Sequence, residues 1–269
     1  MSHFALWNSY MKVYDFLNDV DSYTRSLQDV ADAVGARAGM RILDAGSGTG
    51  NLSIMLKRRG GDVVSCDFSP AALARHREKD PQACLIETSL ENPLPFADKE
   101  FEAICCASVL FTLTQNGCRL ALREFARVLR PDGRLVLTVS APETHVGNLV
   151  AMYFRALVAK YGAIRGRLRA VWKLPALARI VRYNQRLRRL PDWQGFHYFT
   201  EPELLGFLTE AGFEQIAIRR TYGGCFFLAT AQTAAALREA RGLEAERAQP
   251  QPDKESLAAH SQAQSGVVR

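Results

Sequence analysis

The residues of this chain best suited to chemistry lie in Ile42-Leu43-Asp44-Ala45-Gly46-Ser47-Gly48-Thr49-Gly50, with a further acid at Asp67. Three alternate glycines permit positive φ and remove the β-carbons that would hold a ligand away from the main chain. A helix opening at Asn51 would then aim its free amides into a concave site at the carboxyl edge of a parallel sheet, where open α/β folds take nucleotides. Asp67 ends the run 62–67 about 20 residues after the turn, the distance at which an acid accepts from ribose hydroxyls. The third glycine comes one residue too early for the dinucleotide pattern G-x-G-x-x-G, since position 51 is Asn. Asp44 inside the turn would repel a pyrophosphate and attract a cation. The residues therefore imply a nucleoside-type ligand with positive character and argue against NAD. A plainer reading stands beside this one: left-handed glycines close ordinary turns, and Asp67 could cap the next helix, as Ser69 and Pro70 also could.

Positioning these groups takes alternating strands and helices. Ile42 and Leu43 end a buried strand, and residues 51–59 carry Leu52, Met55 and Leu56 at helical spacing. The pattern then predicts strands at 62–67, 83–86, 101–107 and 134–140, with helices at 71–78 and 119–129. Thr200 with Glu203 three residues on forms a capping box for a helix ending at Ala211-Gly212-Phe213. Residues 216–222 and 225–231 around Gly223-Gly224 read as a hairpin. Ahead of the sheet, Trp7, Tyr10, Met11, Tyr14, Phe16 and Leu17 make one apolar stripe. Leu27, Val30 and Val34 continue a helix that Gly35 ends.

L-D-A-G-S-G-T-G followed by C-D-F-S-P resembles the class I S-adenosylmethionine-dependent methyltransferases, in their small-molecule branch of type 11, similar to the ubiquinone methyltransferases. The resemblance implies an α/β, doubly wound, seven-stranded Rossmann-like sheet over residues 40–231, a helical lid over 1–39 and a flexible tail over 232–269. It implies S-adenosyl-L-methionine as cofactor, held by Asp44, Gly46, Ser47, Gly48, Gly50, Asp67 and Phe68, with no metal. Tyr14, in Tyr14-Asp15-Phe16-Leu17-Asn18, corresponds to a segment that folds over the cofactor. Ser89 and Leu90 correspond to the adenine contacts, with Ser89 where relatives usually carry aspartate. Ala107 and Ser108 lead into the segment beneath the methionine portion. Many relatives carry a histidine near the end of that segment, where this chain has Phe111-Thr112. His145 and His197, in loops that could overhang the site, are the remaining candidate bases. Glu124-x-x-Arg127-Val128-Leu129-Arg130-Pro131-Asp132-Gly133 is similar to a structural signature of the family, in which proline stops a helix and Gly133 turns the chain into strand five.

With 48% hydrophobic and 23% charged residues among 269, the chain is globular. No stretch approaches the ~18 apolar residues of a spanning helix, and the N-terminus lacks signal-peptide features, so a cytoplasmic protein is expected. Six cysteines without metal-ligand spacing read as small buried hydrophobes. The net charge of +6 hides an asymmetry: residues 145–190 hold eleven Arg and Lys and no acid, which leaves the remainder net acidic. This run lies in a block, 143–198, placed as a helical insertion after strand five, where enzymes of this kind carry a substrate lid. A basic amphipathic stretch over 149–190 suits an anionic membrane surface, an acidic carrier protein or a polyanionic substrate, or is simply a solvated face. The expected reaction is in-line methyl transfer to a small hydrophobic, lipid-like or carboxylate-bearing acceptor. The alternatives are a cofactor-binding accessory protein without turnover and an RNA methyltransferase using the basic insertion.

Overall fold

The computed structural model describes residues 21–144 and 196–233, with scattered positions between 151 and 186. The elements run α1 (Asp21–Val34), β1 (Arg41–Ala45), α2 (Asn51–Arg58), β2 (Asp62–Asp67), α3 (Pro70–Lys79), β3 (Cys84–Glu87), β4 (Phe101–Ala107), α4 (Gln115–Val128), β5 (Leu129–Ser140), α5 (Glu201–Glu210), β6 (Phe213–Thr221) and β7 (Phe226–Thr233). They form a seven-stranded sheet in the order β3-β2-β1-β4-β5-β7-β6. β1 pairs in parallel with both β2 and β4, while β7 runs antiparallel between β5 and β6. The strand order reverses between β1 and β4, and this switch point opens a crevice at the carboxyl edge beside the glycine turn. The doubly wound expectation holds.

Both sheet faces are covered, which explains why the central strands read as continuous apolar runs. On one face Leu27, Val30, Ala31 and Val34 of α1 and Leu52 and Leu56 of α2 pack on Ile42, Val63, Ala103, Cys105, Val136 and Leu228. On the other, Ala121, Leu122 and Phe125 of α4 and Leu204, Phe207 and Leu208 of α5 pack on Leu43, Val64, Ile104, Leu135 and Leu137. The described part of the N-terminal segment, α1, is thus packed onto the sheet. Thr221 Oγ1 donates to Asp29 Oδ2 at 2.5 Å and ties this helix to the β6 end.

Helix ends follow local chemistry. Ser69 accepts from the Ala72 amide with Pro70 in the first turn, and Thr200 and Glu203 complete the capping box. α4 starts earlier than its apolar spacing suggests, because Thr114 caps it by accepting from Gly117 N at 2.9 Å. Gly133 does not turn the chain into β5. The strand already runs from Leu129, paired with Phe101, and its register against β4 shifts between Phe101 and Ala103. A β-carbon at Gly133 would meet Glu102 O at 2.9 Å, so glycine there permits close backbone approach within an irregular strand.

The Glu124-x-x-Arg127 pair has a defined task. Arg127 donates to the carbonyls of Leu94 at 3.0 Å and Phe96 at 2.9 Å, and to Asp98 and Glu124, each at 2.7 Å. Glu124 in turn accepts from Leu94 N at 2.6 Å. The guanidinium beside it lowers the Glu124 carboxyl below the usual carboxylate range. α4 thereby grips the Leu94-Pro95-Phe96 loop that leads into β4. Arg127→Ala, which takes this donor from two carbonyls and two carboxylates, should lower unfolding stability by about 2 kcal/mol, read as a reduced urea midpoint.

Candidate active site

The glycine turn is held from three sides. From β2, Cys66 O accepts from Gly46 N at 2.8 Å and Ser47 N at 2.9 Å. Asp67 receives Gly48 N on one carboxylate oxygen and Ser69 N on the other, both at 2.9 Å. From beyond β4, Val109 leans on Gly46, where a β-carbon would lie 2.4 Å from its Cγ2. From α3, the His76 ring lies under Gly50, 2.1 Å from where a β-carbon would stand. Gly46 and Gly50 have φ of +75° and +81°, so conformation and space both demand glycine there. Lys79 Nζ adds donors to Thr49 Oγ1 at 2.9 Å and Asn51 Oδ1 at 2.8 Å.

Several features of this turn fit a nucleoside ligand. Among the described residues, nothing lies within 4 Å of a β-carbon built on Gly48, whose φ is +54°. Ser47 Oγ is buried without a hydrogen-bond partner. Asp67, though engaged by two amides, keeps acceptor capacity, because a carboxylate offers about four lone-pair sites. The helix-cap and ligand-acid readings of Asp67 are therefore compatible: it organises the turn and can still face a diol. Thr88 N donates to Asp67 O at 3.1 Å, which brings Ser89 and Leu90 to the same edge. Ser89 Oγ accepts from Glu91 N at 3.2 Å, and Leu90 is buried. Asp67, Phe68, Ser89 and Leu90 thus meet at the ends of β2 and β3.

Asp44, only 1% exposed, lies at the end of β1 and accepts from Ser53 Oγ, while Cys105 Sγ sits 3.6 Å from its other oxygen. Ser65 Oγ bonds Ser53 Oγ at 2.9 Å and extends the chain of hydroxyls. Burial pushes the Asp44 carboxyl up to about 6 against those donors, and burial likewise raises Asp67. Two desolvated carboxylates flanking a bare turn favour a cation nearby.

The carboxyl ends of β4 and β5 form the other half of the crevice. Ser108, directly after Ala107, has φ +60°, a conformation uncommon for a residue other than glycine. Thr138 holds it there: Ser108 N donates to Thr138 O and Oγ1, each at 3.0 Å. Phe111 follows on a 3₁₀ turn, Leu110–Thr112, and its carbonyl accepts from His197 N at 2.8 Å. Half-buried rings gather here: Phe111 stands 5.5 Å from Phe196 and 6.1 Å from Phe226, and Phe226 5.0 Å from Tyr222. His197 packs edge-on against Phe199 at 4.4 Å, with Nε2 2.8 Å from Glu203 Oε1. Tyr14 and His145 lie outside the described residues.

Sequence reading did not single out His76. It is fully buried with neither ring nitrogen bonded, and burial lowers its pKa to about 4. Its signal was the spacing Ala72-Leu73-His76, which places it on the buried face of α3. The cysteines are free, and all but Cys84 are buried.

The two buried groups oppose one another with pH. Relative to 6.5 in the unfolded chain, His76 near 4 resists protonation, so its stabilising contribution is lost as pH falls through that window. Asp44 near 6 holds its proton more tightly than at 3.8, so it contributes stability at low pH that is lost as pH rises from about 4 to about 6. His76→Leu should therefore grow more stable as pH is lowered from about 6 to about 4, while Asp44→Asn should lose stability more steeply than the parent. Urea titrations across that window check this; parallel curves for all three proteins would contradict it.

Residues 43–137 match a family model described as a methyltransferase domain. The demethylmenaquinone methyltransferase of Paenarthrobacter aurescens is 32% identical over 230 residues, covering 81% of each chain. That of Thermus thermophilus is 34% identical over 194 residues, covering 68% of this chain and 87% of the relative. Among solved structures, a TehB-like S-adenosylmethionine-dependent methyltransferase from Corynebacterium glutamicum superposes with a TM-score of 0.54 at 19% identity, covering 84% of this chain and 96% of the other. An S-adenosylmethionine-dependent methyltransferase from Thermotoga maritima gives 0.57 at 16% identity, covering 86% and 99%. These two show the shared fold. With the sheet order, the glycine turn and relatives that match along most of their length, the chain belongs to the small-molecule class I S-adenosylmethionine-dependent methyltransferases, and S-adenosylmethionine is its cofactor.

Proposed function

We propose that this enzyme methylates the ring of a hydrophobic quinol of the demethylmenaquinone type. The observation that carries the reading is the half-buried aromatic wall of Phe111, Phe196, Tyr222 and Phe226 beside His197, at the edge where β4 and β5 end. Flat apolar rings pack well against aromatic side chains in offset or edge-on arrangements. The named relatives, alike over most of the chain, support the same acceptor class.

On this reading Asp67 would accept from the ribose, Ser89 and Leu90 would meet the adenine, Ser47 and Gly48 would hold the cofactor at the glycine turn, and Ala107 and Ser108 would lie beside its methionine portion. The bound S-adenosylmethionine supplies an electrophilic methyl group on a positively charged sulfur. The chain's own work is alignment and the handling of one proton. Fixing the acceptor carbon within ~3–3.5 Å of the methyl and in line with the bond that breaks supplies much of the rate. Glu203 Oε1 lies 2.8 Å from the buried Nε2 of His197, which makes no hydrogen bond among the described residues in this arrangement; on the proposed reading Nε2 would carry its proton toward that carboxylate and Nδ1 would be the acceptor. Nδ1 would take the hydroxyl proton of the quinol, which raises electron density on the adjacent ring carbon. That carbon would take the methyl as its bond to sulfur breaks and S-adenosylhomocysteine leaves, the ring carbon would lose its own hydrogen as a proton, and the hydroxyl would regain its proton from Nδ1. One proton is released per turnover.

Asp67→Ala should weaken binding of S-adenosylhomocysteine at least about tenfold by calorimetry, because a charged hydrogen-bond partner contributes about 1.5–3 kcal/mol. Unchanged affinity would contradict the assigned role. His197→Ala should leave that affinity intact and lower kcat on a short-chain demethylmenaquinol by about 10²-fold or more, with Glu203→Gln intermediate. Saturable cofactor binding with no methylated quinol from the parent enzyme would instead favour an accessory protein without turnover.

A further inference from the structure

None of the site contacts given above involves the eleven basic residues that residues 145–190 carry without a single acid, of which Arg155, Arg165, Arg182 and Arg186 are among the described residues. The described positions from 151 to 161 are helical, Gly162 turns the chain at φ +79°, and helix resumes at 163. Gly166 closes this hairpin: a β-carbon there would lie 2.6 Å from Leu157 O and 2.7 Å from Val158 Cα. That contact fixes which side of the second helix faces inward. At 3.6 residues per turn, Ile164, Leu168 and Val171 fall on the side away from Gly166. They are 77%, 62% and 58% exposed, a bare aliphatic stripe at i, i+4 and i+7. Arg155, Arg165, Arg182 and Arg186 are exposed in the same block.

We propose that this stripe docks onto an anionic phospholipid bilayer, with Ile164, Leu168 and Val171 entering the headgroup boundary and the surrounding arginines meeting lipid phosphates. Apolar side chains in a block whose charged residues are all cations match a surface whose phosphate layer and hydrocarbon lie at successive depths. Three exposed aliphatic side chains grouped on one side of a helix are a feature of contact surfaces. No helix among the described residues is long and apolar enough to cross a membrane, so the contact is superficial. The inference rests on the lipid-acceptor reading in one respect: docking would bring the crevice to the phase in which a hydrophobic quinol is dissolved.

The test is sedimentation of the full chain with vesicles of phosphatidylglycerol and phosphatidylcholine, against phosphatidylcholine alone. The parent should bind the anionic vesicles and release with added salt. The double variant Ile164→Glu, Leu168→Glu should bind at least about tenfold more weakly, since it removes apolar contact and adds negative charge. It should still methylate a water-soluble short-chain quinol at the parent rate. Failure of the parent to bind anionic vesicles, or equal binding by the variant, overturns the docking surface. So does a parent dimer that the variant dissolves, because the stripe would then cover a second copy of the chain, or capture of an acidic protein without vesicle binding. If vesicle binding follows the expected pattern while no quinol is methylated, docking stands and the acceptor assignment fails.

Discussion

The structure depends on the bond between the Asp67 carboxylate and the amide of Gly48. A turn with left-handed backbone at Gly46, Gly48 and Gly50 has few internal restraints, and glycine loses more freedom on ordering than any other residue. Here the freedom is removed from outside. β2 supplies Cys66 O and Asp67, the segment after β4 supplies Val109, and α3 supplies His76 and Lys79. The supports come from both sides of the switch point, β2 and α3 on one and the segment after β4 on the other, so the shape of the turn depends on the assembled sheet. The cost is two carboxylates and an imidazole withdrawn from water, which the ligand's positive character offsets in part.

The acceptor side follows a similar logic, with fold-making and site-making groups shared. Glu203 closes the capping box of α5 with one oxygen and meets His197 with the other. His197 N is anchored on Phe111 O, which ties the candidate base to the aromatic wall and the start of α5. Ser108 carries backbone strain where the chain leaves β4, and Thr138 of β5 over-determines it. Such strain concentrates at functional edges.

Much of this was legible in the residues. β2 and β4 have the limits the sequence predicts, 62–67 and 101–107, because each is an apolar run between polar breaks. The capping box at Thr200 and the chain reversal before β7 were equally plain. The start of α4 was less so, since Thr114 caps a first turn without apolar side chains. Gly133 looked like a turn residue and is instead a point of close approach to Glu102 O. The helical spacing Ala72-Leu73-His76 marked His76 as inward-facing, but its contact with the bare backbone of Gly50 leaves no side-chain pattern. The aromatic wall joins residues more than a hundred positions apart, a proximity that local spacing does not encode.

The central claim is that the buried acids around the glycine turn favour a cationic ligand. Its most direct test is the proton balance of S-adenosylmethionine binding, measured calorimetrically near pH 6 in two buffers of different ionisation enthalpy. Burial raises the Asp44 carboxyl to about 6, so binding of the sulfonium should release part of a proton, and Asp44→Asn should release clearly less. No proton release from the parent, or the same release from the variant, would contradict the account.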